Sequence, residues 1–255
     1  MENWEIAATD FISQCSFYRD IEAAFLTGSY AAGNADNYSD IDVYIVLNDN
    51  ISWRERGNKR INGFLIEYFA NPTRQIKNYI DSSYNNADCT TINMILNGII
   101  LINKNFTADK LIEYCVQKDL NCFPKLAENQ IKISLYRIWD NFDELTRAYK
   151  NKSNDFTMQY YMFIINTFEL YSSYICSPVP NYHHLFKWLT DEKYIKGFGL
   201  PSYKDQMFIK EIITSFSCLN IDTMFTQAGV IKTHVINKMN GFDIDNFVLR
   251  SECDC

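Results

Sequence analysis

Residues 25–47 (FLTGSYAAGNADNYSDIDVYIVL) constrain this chain more than any other stretch. The segment Ile21 to Thr27 is apolar and reads as a short buried strand. It ends at Gly28-Ser29. Glycine lets a backbone pass close to a ligand, and a helical turn starting there aims free N–H groups at an anion. The Ser29 hydroxyl adds a donor, and the pair suits a polyphosphate. A polar spacer, Asn34 to Asp40, leads into Ile41 to Leu47. That run is rich in β-branched and aromatic residues and reads as a second strand.

Asp40 and Asp42 flank Ile41, and alternate strand positions point to one face. Two carboxylates therefore sit side by side at the mouth of an apolar strand. Their repulsion favours the protonated forms, and a divalent cation relieves it. Two carboxylates with phosphate oxygens and water suit octahedral Mg²⁺. Glu67 is a lone acid in a third apolar run, Ile61 to Phe69, whose strand proper starts at Phe64 if Asn62-Gly63 makes a turn. If that strand pairs beside the Asp strand, Glu67 completes a three-carboxylate cluster. Taken alone, Glu67 is an edge-strand acid facing solvent.

Periodicity divides the rest. Apolar spacing predicts an amphipathic helix over residues 4–19, and Pro72 stands where another starts. Helices over 91–96 and 107–118 bracket a short strand over 99–103, with Thr107 as the expected N-cap. After Asn121 to Pro124 the character changes, and no strand pattern follows. Helices are expected over 126–149, 155–176, 182–189, 203–216 and 221–239, with Ser177-Pro178-Val179-Pro180 as a break. An α/β half is thus followed by a helical half, with domains over 1–122 and 123–255.

Composition narrows the partners. Asp and Glu number 31 against 24 Lys and Arg, a net charge of -7, so the basic footprint of a nucleic-acid binder is absent. The densest basic stretch, Arg54 to Arg60, is interrupted by Glu55, Gly57 and Asn58 and reads as a solvated loop. Eight cysteines at irregular spacing contain no Cys-x-x-Cys, and three His complete no zinc pattern. The tail Cys253-Asp254-Cys255 reads as two free thiols at a frayed end. No apolar run reaches membrane-spanning length and the N-terminus lacks a signal-peptide pattern, so a cytoplasmic, reducing setting is expected, without membrane contact. The apolar helical half is compatible with a homodimer.

Over residues 21–70, under a quarter of the chain, the pattern resembles the signature of the polymerase-β-like nucleotidyltransferase superfamily. Gly28, Ser29, Asp40 and Asp42 match its strand, Gly-Ser, spacer and Asp-x-Asp, and Gly33 and Ser39 match the commoner spacer. Length and layout are similar to those of aminoglycoside and lincosamide nucleotidyltransferases, which also carry a helical domain after the catalytic one. The resemblance implies an α+β nucleotidyltransferase domain, its mixed sheet flanked by helices, followed by an α-helical bundle domain.

It also implies transfer of a nucleoside monophosphate from an NTP, with ATP expected, to a hydroxyl of a small molecule such as an aminoglycoside or lincosamide antibiotic. Two Mg²⁺ ions are implied, one lowering the pKa of the acceptor hydroxyl and one neutralising the departing pyrophosphate. Asp40 and Asp42 would bridge both. Glu67 would ligate the nucleophile-side ion and accept the proton. Gly28 and Ser29, with Gly33 and Ser39 in the spacer, would hold the nucleotide phosphates. The alternative is an antitoxin-type protein adenylyltransferase that modifies a partner protein. Asp140, Asp143 and Glu144 on the long helix are candidates for a separate base, though helix acids usually face solvent. His183-His184 reads as a helix-start feature and His234 as structural.

Overall fold

The computed structural model describes residues 3–178 and 182–250. Val179-Pro180, at the expected break, and the Cys253-Asp254-Cys255 tail lie outside the described residues. In chain order the first half comprises α1 (Asn3–Ser13), β1 (Ile21–Thr27), α2 (Gly28–Ala31), β2 (Ile41–Leu47), β3 (Glu55–Ile61), β4 (Phe64–Pro72), α3 (Thr73–Asn85), α4 (Thr90–Leu96), β5 (Ile99–Asn103) and α5 (Thr107–Val116). The remainder is helical: α6 (Glu128–Lys150), α7 (Phe156–Tyr174), a 3₁₀ turn (Tyr182–His184), α8 (Leu185–Thr190), α9 (Glu192–Gly197), α10 (Gln206–Ser215) and α11 (Ile221–Lys238).

The five strands form one mixed sheet in the order β3-β4-β2-β1-β5. β1 runs antiparallel to β2 and β5, β2 parallel to β4, and β3 antiparallel to β4. Strand alternation sends Leu26, Val43, Ile45 and Ile66 to one face, where Ala7, Ala8, Phe11 and Ile12 of α1 cover them. The other face carries Phe25, Tyr44 and Val46 beneath Ile76 and Ile80 of α3, Ile92 and Ile95 of α4 and Leu111 of α5. A sheet buried on both faces explains why β1 and β2 read as near-continuous apolar runs rather than as alternation.

Three expectations are corrected. The first helix ends at Ser13 instead of reaching residue 19: the Cys15 amide turns back to Ile12 and Phe17 drops into the core. The basic stretch 54–60 is an edge strand, not a loop. β3 bonds to β4 through its backbone while its side chains before Ile61 stay largely in water, so it needs no apolar period. Asn62 and Gly63, both at positive φ (51° and 88°), form the two-residue turn that joins β3 to β4. Finally, α5 is entered from Phe106 in a left-handed conformation rather than capped by Thr107. The Asn103 side chain accepts the Ala108 amide there.

Two compact units emerge, residues 1–120 with 182–201, and residues 121–181 with 202–255. The segment carrying α8 and α9 thus folds with the sheet, although its sequence sits in the helical half. The second unit packs α6, α7, α10 and α11 around Tyr160, Phe163, Phe168, Phe208 and Ile231, all buried. Among the described residues, no helix is long and apolar enough to cross a membrane.

Candidate active site

The sheet topology places the acids. Thr27, the last residue of β1, pairs with Asp42 across the antiparallel ladder. Asp42 in turn pairs with Glu67 across the parallel one. The two carboxylates therefore share one face and one level of the sheet, and Asp40 joins them from the residue before β2 begins. One carboxylate oxygen from each of Asp40, Asp42 and Glu67 lies within 4.8 Å of the others.

The cluster is electrostatically loaded. Burial first, then the charges of Asp40 and Glu67, pushes the Asp42 carboxyl up from 3.8 to about 7. Glu67 is tied to the edge strand: Arg56 Nη2 donates to its Oε1 at 2.6 Å, and the guanidinium lies 4.6 Å over the Phe69 ring. Arg56 itself is exposed and holds only one of the two Glu67 oxygens. A donor set of three carboxylates, with no nitrogen or sulfur, fits a hard divalent cation of the Mg²⁺ type. Such an ion would offset the burial and the like charges that hold the Asp42 carboxyl up.

Opposite the acids, β1 turns into α2 at Gly28. Its φ of +65° is left-handed, and an added Cβ would strike the Asp42 carboxylate. Only glycine fits both demands. The first-turn amides of α2 have no partners within their own helix, as at any helix start. The spacer that follows is self-bonded. The Asn34 amide donates to the Ser29 carbonyl at 2.9 Å. Ser39 Oγ accepts the Asp36 amide at 2.9 Å and donates to the Asp36 carboxylate at 3.2 Å, while the Tyr38 amide donates to the same oxygen. The hydroxyl of Ser39 is thus engaged inside the turn that delivers Asp40. Gly33 takes a positive φ of 66° with open space around it, a turn-making position.

Residues 10–107 match the family model described as "Polymerase beta, Nucleotidyltransferase". That span is a polymerase-β-type nucleotidyltransferase domain. The matched span runs from α1 into α5 and contains the five strands, the glycine turn and the three carboxylates. No curated protein matches the chain in sequence. Among solved structures it is similar to a nucleotidyltransferase-like protein from Exiguobacterium sibiricum, at 13% identity and a TM-score of 0.48, over 92% of this chain and 75% of that one.

The other acids and histidines weighed from the sequence have local roles. Asp143 and Glu144 pair with Arg147 on α6 at 2.6 and 2.8 Å, and Asp140 is half-buried on the same helix. His183 and His184 are exposed in the 3₁₀ turn before α8. His234 is partly buried within the second unit between Asp205 and Glu211. Arg56 was missed in the sequence as a neighbour of the acids. Its only signal was its place in a basic stretch, and its relation to Glu67 exists through the β3–β4 pairing.

Proposed function

We propose that the enzyme transfers a nucleoside monophosphate from ATP to a hydroxyl of a small molecule, with aminoglycoside and lincosamide antibiotics as the first acceptors to try. The observation that carries the reading is the convergence of Asp40, Asp42 and Glu67 beside the Gly28 turn. The acceptor oxygen forms a bond to the α-phosphorus. The bridging α–β bond breaks, and its electron pair leaves with pyrophosphate.

In this reading Asp40, Asp42 and Glu67 would hold two Mg²⁺ ions, which when bound would supply charge neutralisation at the triphosphate and acidify the acceptor hydroxyl. Glu67, steadied by Arg56, takes the hydroxyl proton. The Gly28 backbone and Ser29 hydroxyl hold the β- and γ-phosphates, with the spacer around Gly33 and Ser39 shaping that cradle. Charge in such transfers is spread over oxygens, so positioning and electrostatics supply most of the acceleration. Bound cations would favour the ionised Asp42 carboxylate, offsetting the burial and then the neighbouring charges that raise its carboxyl.

The test is a mass-spectrometric screen of the purified chain with Mg²⁺, ATP and a panel of aminoglycosides and lincosamides, against an Asp42→Asn control. A nucleotide-sized mass gain on one drug, absent in the control, is the expected result. Gain on no drug, together with labelling of proteins in a lysate, would replace the small-molecule acceptor with a protein one.

A further inference from the structure

Segment 182–201 belongs to the compact unit that holds the sheet. Gly197, the last residue of α9, meets the spacer after α2 directly. A Cβ built on it would lie 2.5 Å from the Ala32 carbonyl oxygen and 2.5 Å from Asn34 Nδ2. The asparagine side chain can swing aside. The carbonyl is backbone and cannot yield without moving the loop. A second tie lies one residue on, where Asn97 Nδ2 donates to the Phe198 carbonyl at 3.4 Å. The charge of Lys187 in α8 also reaches Asp36 of the same spacer. There it adds to the Tyr38 amide and the Ser39 hydroxyl, which lead in holding that carboxyl below its ordinary range.

The spacer positions touched by Gly197 are those that set Gly28 and Ser29. The Ala32 amide donates to the Gly28 carbonyl at 3.0 Å, and the Asn34 amide to the Ser29 carbonyl at 2.9 Å. Asn34 Nδ2 also donates back to the Ala32 carbonyl at 3.3 Å. A push on Ala32 is therefore passed through two backbone hydrogen bonds to the turn beside Asp42. We propose that α9 braces the nucleotide-phosphate loop and that Gly197 is a positioning residue for Gly28 and Ser29. This rests on the reading above, in which those two residues hold the phosphates. The brace comes from a part of the chain about 160 residues away in sequence, outside the span 10–107 that carries the chemistry.

Calorimetric titration of a non-hydrolysable α,β-methylene ATP analogue with Mg²⁺ tests it, alongside Mn²⁺ titration without nucleotide. Gly197→Ala is expected to weaken nucleotide binding by about tenfold or more, since small misplacements of a binding group carry that size of loss. Mn²⁺ affinity should stay near that of the parent. Parent-like nucleotide affinity in Gly197→Ala overturns the proposal, as does a parallel fall in Mn²⁺ affinity, which marks general damage. Should that variant fail to fold, hydrogen exchange on the unaltered chain decides: nucleotide should protect amides of 29–34 and 195–199 together. Protection of the first without the second overturns the brace. If the unaltered chain binds no nucleotide at all, the phosphate-binding reading falls, and the brace falls with it.

Discussion

Gly28 and Asp42 are packed so tightly that no side chain fits between them. The glycine turn exists where it does because the second aspartate occupies the space a Cβ would need. Gly28→Ala adds that clash to a left-handed φ of +65°. We expect a loss of stability of about 1–3 kcal/mol. Turnover should fall on the order of a hundredfold, because both the turn proposed to hold the phosphates and a cluster carboxylate are displaced. Steady-state kinetics with chemical denaturation checks both, and an active, fully stable Gly28→Ala protein would contradict the packing.

Asp42 also sets a pH dependence of folding. Its carboxyl, ordinarily near 3.8, stands at about 7 in the native chain. Between those values the native state binds a proton that the unfolded chain has released. Stability of chelator-treated protein should therefore fall as pH rises from about 4 to about 7. Asp42→Asn removes that slope and should be the more stable protein at pH 8, by on the order of 1–3 kcal/mol. Melting curves at several pH values in the presence of EDTA read this directly. Identical slopes for parent and variant would show that Asp42 is not the group responsible.

The same displacement couples metal to protons. Below pH 7 a cation entering the cluster must expel the Asp42 proton, so Mn²⁺ affinity should rise as pH goes from 6 to 8 and level off above. Calorimetry in two buffers of different ionisation enthalpy should count close to one proton released per protein at pH 6. It should count far less at pH 8.5. Equal proton release at both pH values would refute the assignment of the crowded carboxyl to Asp42.

Arg56 gives a prediction that separates stability from catalysis. Its pair with Glu67 is short, but Arg56 is 68% exposed, so water screens the attraction. Arg56→Gln should cost under about 1 kcal/mol of stability. Glu67, freed from one anchor, then loses orientation rather than charge. The expected signature is a fall in kcat of roughly tenfold with little change in the KM for ATP. A change confined to KM would place Arg56 on the nucleotide instead.

What could be read from the sequence followed from burial. β1 and β2 are enclosed on both faces, so their residues announce strands without any partner being known. The juxtaposition of Asp40 and Asp42 follows from strand period alone. Glu67 needed one more fact, the parallel pairing of β4 with β2, which no local pattern encodes. β3 was missed because an edge strand with solvated side chains resembles a polar loop until its backbone finds β4. α9 was missed for a related reason: it is six residues long, carries no buried residue, and is placed by the close approach of Gly197. A glycine that matters through absent volume leaves no periodic trace.

The second unit supplies a prediction about structure alone. His234 Nε2 lies 3.0 Å from Asp205 Oδ2, and Nδ1 lies 3.1 Å from the Glu211 carboxylate. Tyr171 donates to Asp205 Oδ2 at 2.6 Å, so the network ties α7, α10 and α11 together. Burial alone would raise the Asp205 carboxyl. The Tyr171 hydroxyl, the Phe208 amide and His234 outweigh it and hold the carboxyl at about 2. The side chains of His234, Asp205 and Glu211 are each only 10–13% exposed. His234→Ala leaves two enclosed carboxylates without the imidazole between them, and breaking such a network typically costs about 3–5 kcal/mol. Urea denaturation at pH 7 should show a loss of that size. A loss under about 1 kcal/mol would mean that water replaces the imidazole at little cost, and that the three helices are held by the packing of Phe168, Phe208 and Ile231 alone.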